Sequence, residues 1–116
     1  MRNDKLTTYF GFCIKANKII FGLENLEKKR GVDLLVVDES LSPKSMENAK
    51  RLKEKFACPM LVFGEEKLGE ILCKPKVKMA GIKDKNLASA ILVEAGHIDE
   101  LKVYSGGRNE IYGKEI

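Results

Sequence analysis

The chain has 116 residues, 44% hydrophobic and 33% charged, with a formal net charge of +4. That is the length of one ordinary domain able to bury a two- or three-layer core, and the balance excludes a disordered or low-complexity chain. The positive excess is compatible with a nucleic-acid partner without requiring one.

In chain order, Asn3 or Asp4 suits the cap of a first helix that presents Leu6, Phe10, Cys13 and Ile14 on one face. Asn17-Lys18 closes it, and Ile19-Ile20-Phe21 reads as a short strand. A helix over 23–30 follows, with Leu23 and Leu26 inward, Lys28, Lys29 and Arg30 in its last turn, and Gly31 as a left-handed cap. The helix dipole alone accounts for those cations, at about 0.3–1 kcal/mol each. Leu34-Leu35-Val36-Val37, an apolar run between Asp33 and Asp38, predicts a central strand buried on both faces.

The clearest local signal is SLSPKSMENAKRLKEKF. Ser42 suits the N-cap, Pro43 the first helical position, and Leu41 can staple onto Met46. Met46, Ala49, Leu52 and Phe56 recur at helical spacing, with Lys50, Lys53 and Lys55 among the solvent positions. Pro59 ends the run, and Met60-Leu61-Val62-Phe63 reads as a third buried strand. Glu65-Glu66 then start a short helix through Leu72, their charges favourable at its N-terminus. Lys74-Pro75-Lys76 is a loop, and the alternation of Val77 and Met79 with lysines predicts a strand near an edge with one wet face. Asp84 caps a last helix carrying Leu87, Ala90, Ile91 and Val93, ended by Gly96. Residues 97–116 read as an extension with one strand around Leu101-Lys102-Val103-Tyr104. Strands alternating with helices predict one α/β domain over 1–96, with helices covering both faces of a largely parallel or mixed sheet.

Little catalytic chemistry is on offer. Cys13, Cys58 and Cys73 are odd in number and widely spaced, and His97 is the single histidine. They read as three reduced core residues, with no disulfide framework and no metal site. No glycine-rich phosphate loop is present, and one histidine in the tail cannot serve a nucleophile. Asp38 lies at a strand end, as a phospho-acceptor aspartate would. The acidic pair such a site needs after the first strand is replaced by Gly22-Leu23, so Asp38 reads as a loop or capping residue. The expectation is a non-enzymatic protein without cofactor. MRNDKLTTYF lacks the apolar core of a signal peptide, and no segment reaches the roughly 20 apolar residues of a membrane span. A cytoplasmic location without a membrane partner is therefore expected.

The basic clusters carry more. Lys28, Lys29 and Arg30, with Lys74, Lys76 and Lys78, place six cations in two short segments. Solvated helix-end and edge-strand lysines explain them adequately, yet they also suffice for a few phosphate contacts.

In order and spacing, ANKIIFG, VDLLVVDESLSPKSMENAKRL, CPMLVFGEEKLGEIL and VKMAGIKDKNLASAIL resemble the kink-turn RNA-binding family of ribosomal proteins. That family includes archaeal and eukaryotic large-subunit and snoRNP proteins, and the chain looks most like its small bacterial YlxQ-type branch. The resemblance spans about 6–95 and includes the Leu68-Gly69 pair. It implies a three-layer α/β/α sandwich with a central mixed sheet, and RNA held against the start of the second helix. The family motif there is a glycine, any residue, Asn-Glu, two residues and a lysine. The asparagine and glutamate read guanine edges, the lysine meets a phosphate, and an apolar loop after the Leu-Gly helix packs on extruded bases.

Gly22 matches the glycine and Lys28 the lysine, but Glu24 stands where asparagine is usual and Asn25 where glutamate is usual. Lys74-Pro75-Lys76 replaces the apolar loop. A carboxylate accepts hydrogen bonds but cannot donate. About 6 Å from a phosphate at an effective dielectric near 20, it is opposed by roughly 3 kcal/mol, comparable to the ~1–3 kcal/mol of a good base contact. The resemblance thus implies a ribosomal or other structured-RNA partner with altered or relaxed kink-turn specificity, bound through Gly22, Glu24, Asn25, Lys28, Lys29, Lys74, Lys76 and Lys78. The alternative is a family member without RNA recognition that serves as a protein-interaction module. A regulatory or enzymatic domain built around Asp38 ranks behind both.

Overall fold

The computed structural model describes residues 4–98, 102–105 and 110–111. Its elements are α1 (Asp4–Lys15), β1 (Ile19–Phe21), α2 (Leu23–Glu27), β2 (Leu34–Asp38), α3 (Pro43–Phe56) and β3 (Met60–Phe63). They continue with α4 (Lys67–Leu72), β4 (Met79–Ile82), α5 (Lys85–Ala95), β5 (Lys102–Ser105) and β6 (Glu110–Ile111). The strands form one mixed sheet in the order β1-β4-β2-β3-β5-β6. Among the described strands, only β2 and β3 run parallel; β4 is antiparallel to both β1 and β2, and β5 to both β3 and β6.

Period-two alternation along β2 makes the layers. Leu34 and Val36 face a core with Leu6, Phe10 and Cys13 of α1, Leu68 and Leu72 of α4, and Ala88, Ile91 and Ala95 of α5. Leu35 and Val37 face the other core, with Leu26 of α2, Val32, and Ala49 and Leu52 of α3. All five β2 residues are buried, as a strand covered on both faces must be. The result is an α/β/α sandwich.

Local capping chemistry fixes the helix ends. The Ser42 hydroxyl accepts from Ser45 N at 3.2 Å with Pro43 at the first helical position, and Asp84 Oδ1 accepts from Leu87 N at 2.8 Å. Asn17 closes α1 in the left-handed region at φ 59°. Asn3, and most of the stretch after Ile98, lie outside the described residues; within that stretch the expected strand is β5, and it joins the same sheet.

Several expectations fail, each for a packing reason. β4 lies next to the edge strand, between β1 and β2, but it has no wet face: all four residues are buried, because the lysine alternation belongs to the preceding loop and the strand itself is Met-Ala-Gly-Ile. α2 stops at Glu27 and Gly31 is not left-handed, so Lys28, Lys29 and Arg30 lie beyond the helix. Gly81 explains the early stop. A Cβ there would lie 2.6 Å from Leu26 Cδ2 and 3.0 Å from Val32 Cγ1, so Leu26 and Val32 pack on the same bare backbone. A helix continued to Arg30 would run at least about 6 Å past Leu26 and draw Val32 away. Ile14 and Val93 are exposed rather than inward, and Ala88 and Ala95 take the close packing of α5. Lys53 is only 2% exposed, stacked one turn after the buried Ala49. Cys73 is exposed on the left-handed turn ending α4, whereas Cys13 and Cys58 are buried.

Candidate functional site

The turn between β1 and α2 is set by Gly22, whose φ of 89° and ψ of 153° fall in a region essentially reserved for glycine. Its N–H donates to Met79 O at 3.0 Å, and its carbonyl accepts from Leu26 N at 3.1 Å. The Asn25 side-chain amide reaches back to Phe21 O at 2.9 Å and locks the turn from outside. Glu24 is exposed in the first turn. Asn25 thus has a structural task that its residue type alone does not disclose.

Two hollows flank α2. On the β1 side an open groove of about 300 Å³ is lined, among the described residues, by Ile19, Ile20, Phe21, Asn25, Lys28 and Lys29, none of them a carboxylate. On the α3 side a hollow of about 670 Å³ is lined by Glu27, Asn48, Arg51, Leu52, Glu54 and Lys55. Lys55 Nζ donates to the Glu27 carbonyl at 2.9 Å and ties the end of α2 to α3.

The lysine loop is delivered to the β1 side by a second glycine. A Cβ on Gly69 would lie 2.9 Å from the carbonyl oxygens of Lys74 and Pro75 and 3.0 Å from Pro75 Cα, so the loop backbone rests directly on α4. Lys74 Nζ then stands 5.4 Å from the centroid of the Phe21 ring, a cation–π contact beside the Gly22 turn. Lys76 is exposed on the same loop. Lys78 is diverted: its Nζ donates to Ser40 Oγ at 2.8 Å and to Glu66 Oε2 at 3.1 Å. Its charge is matched by Glu66, so it is not a free phosphate ligand in this arrangement.

That diversion leads to Asp38, which is fully buried. Its Oδ1 accepts from Ser40 N at 3.0 Å, Ser40 Oγ at 2.7 Å and Glu66 N at 3.0 Å, and its Oδ2 accepts from Leu68 N at 3.2 Å. Burial pushes the carboxyl up, but the hydrogen bonds from Ser40, Glu66 and Leu68 outweigh it and hold the group below the usual carboxylate range. Asp38 therefore caps α4 from the end of β2. Glu65 and Glu66 do not start that helix, because Glu66 sits before it in the left-handed region at φ 66°. The buried thiols of Cys13 and Cys58 are both pushed up to about 11, chiefly by desolvation.

The fold thus gathers Gly22, Glu24, Asn25, Lys28, Lys29 and Lys74 around one end of β1, leaves Lys76 on the adjoining loop, and turns Lys78 inward. Phe21 and the outer edge of β1 belong to this site and were not singled out from the sequence. Their signal is spatial: β1 ends the sheet. Among the described residues, no group of three or more histidine, cysteine or acidic residues is placed to hold a metal, and no helix is long and apolar enough to cross a membrane.

A solved structure described as "a protein with unknown function from Bacillus halodurans C" is similar at a TM-score of 0.65 and 16% identity, over 78% of this chain and 96% of that one. At that identity the likeness shows the fold alone. No protein-family model matches the chain. No curated protein matches it either.

Proposed function

We propose that the chain is a non-enzymatic RNA-binding protein whose interface is the Gly22 turn, α2 and the lysine loop. One observation carries this reading: Lys74 stands over Phe21, so two segments far apart in sequence meet at one cationic end of the sheet. Lys28 and Lys29 flank the same turn, and Glu27 lines the other side of α2. Phosphate contacts from Lys28, Lys74 and Lys76 position the RNA, while Glu24 and the remaining polar valences of Asn25 face its base edges. The exchanged Glu24-Asn25 order favours structured RNA broadly over strict kink-turn recognition.

Titration against a kink-turn RNA, a plain duplex and a single strand at two salt concentrations tests this. Affinity for structured RNA is expected to fall with salt by roughly 0.9 log units per log unit for each phosphate contact. Lys28→Ala should weaken all structured RNAs alike, because a phosphate contact carries no sequence information. Glu24→Asn alone, which keeps the Asn25–Phe21 lock, should raise kink-turn affinity, whereas adding Asn25→Glu removes that lock and should lower thermal stability. Absence of RNA binding at low salt would reject the reading in favour of a protein-interaction module. The exposed Phe12 and Val93, on the α1/α5 layer, favour that second reading.

A further inference from the structure

β1 ends the sheet, and its pairing with β4 fixes which backbone groups face the open side. Gly22 N–H donates to Met79 O at 3.0 Å, and Lys83 N–H donates to Lys18 O at 2.7 Å. Bonded and non-bonded pairs alternate along an antiparallel ladder, so Ile20 opposite Gly81 is the bonded pair between these two. Ile19 and Phe21 accordingly turn their N–H and C=O groups away from β4, into the groove beside Lys28 and Lys29. The Asn25 amide marks the same direction, because the carbonyl it reaches is that of Phe21.

With the Phe21 carbonyl occupied, the edge offers two N–H donors about 6.8 Å apart, the spacing of alternate strand residues, and one carbonyl acceptor. Two ammonium groups stand beside them, and among the described residues no carboxylate lines the groove. Such a groove is rich in donors and positive charge, and it follows an extended line. It suits an extended anionic chain whose acceptors repeat. It is poorly suited to a second copy of β1, which would bring like-charged lysines face to face.

We propose that the β1 edge is a second RNA subsite, taking the sugar–phosphate backbone of an unpaired strand that leaves the structured element held at the Gly22 turn. The proposal rests on the RNA-binding reading above. The Phe21 and Ile19 N–H groups donate to phosphate oxygens, Lys29 neutralises them, with Lys28 shared with the turn, and the Ile19 carbonyl accepts from a ribose 2′-hydroxyl.

The test is fluorescence anisotropy with the full chain and a labelled stem–internal-loop RNA, either blunt or carrying a three-nucleotide single-stranded extension at its 5′ or 3′ end. One of the two extensions should tighten binding about 3- to 10-fold at low salt and steepen the salt slope by roughly 0.7 for each added contact. Lys29→Ala should bring the extended and blunt RNAs within about two-fold of each other, and a 2′-deoxy extension should lose part of the gain. Hydrogen exchange read by NMR should show the Phe21 and Ile19 amides slowed by the extended RNA and not by the blunt one, with the paired Ile20 amide as internal control. Equal affinity of blunt and extended RNAs, with both bound, overturns the proposal and leaves the RNA-binding reading standing. Unchanged Phe21 and Ile19 exchange also overturns it. Failure of every RNA to bind overturns both.

Discussion

The two hollows beside α2 share a helix and differ in everything that governs a ligand. The larger sets Glu27 and Glu54 among Arg51 and Lys55, so its charges answer one another. The smaller has two lysines, an amide and the open edge of a strand, with nothing acidic lining it among the described residues. A five-residue helix sorts charge by direction: Glu27 goes to α3 and the lysines after it go to β1. Counting the charges of this segment along the chain would cancel them; in space they do not cancel. Volume ranks the hollows one way and electrostatic purity the other, and for an anionic partner purity decides.

Four substitutions can break or sharpen that contrast. Asp38→Asn has the largest effect, because two backbone N–H groups and Ser40 lose a charged acceptor in a buried place. A loss of about 3 kcal/mol is expected in urea unfolding. The pH dependence follows from the lowered carboxyl. Its stabilisation is fully present above the unfolded value of about 4 and fades as pH falls through the folded one. Melting curves of the parent chain and of Asp38→Asn should therefore converge as the solution is acidified below about pH 4.

Gly81→Ala comes next, at about 2 kcal/mol, since a methyl group 2.6 Å from Leu26 has to lift α2 and would disturb both hollows together. Gly69→Ala should cost about 1–2 kcal/mol and act on one side only. It displaces the Lys74–Pro75 backbone, lowering RNA affinity while the Lys55–Glu27 tie persists. Lys55→Ala should cost about 0.5 kcal/mol and leave RNA affinity unchanged. A large loss of RNA affinity with Lys55→Ala would reverse the assignment of the two hollows.

What could be read from the sequence is what neighbours in the chain decide. Ser42-Pro43 and Asp84 announce helices because cap and capped amide lie three residues apart. Leu34 to Val37 announces a buried strand because every residue is apolar. The misreadings involve distant partners. By sequence the start of α4 reads as supplied by Glu65 and Glu66, but the carboxylate that does so is Asp38, 28 and 30 residues from the amides that donate to it. Lys78 looked like a loop cation until Ser40 and Glu66 claimed it. The length of α2 is decided by a missing side chain at Gly81, on a strand that the alternation of lysines makes look half-wet and that is buried on both faces. At the candidate site, Gly22 and Lys28 were visible as a motif, whereas the contribution of Phe21 required knowing that β1 is outermost.

The pairing of β1 with β4 also orders events in time. A chain emerging from its amino end can close β2, α3 and β3 on one another while β4 has yet to be made. β1 and α2 must wait for Met79–Ile82 before they have a sheet to join, because Ile19 pairs with Ile82. Loop closure over that span is slow compared with the local steps before it. The end of the sheet where the Gly22 turn meets Lys74 is therefore among the last parts of the α/β/α core to be assembled. A chain paused before β4 carries the capped α3 but has no partner strand on which to seat β1 and the Gly22 turn.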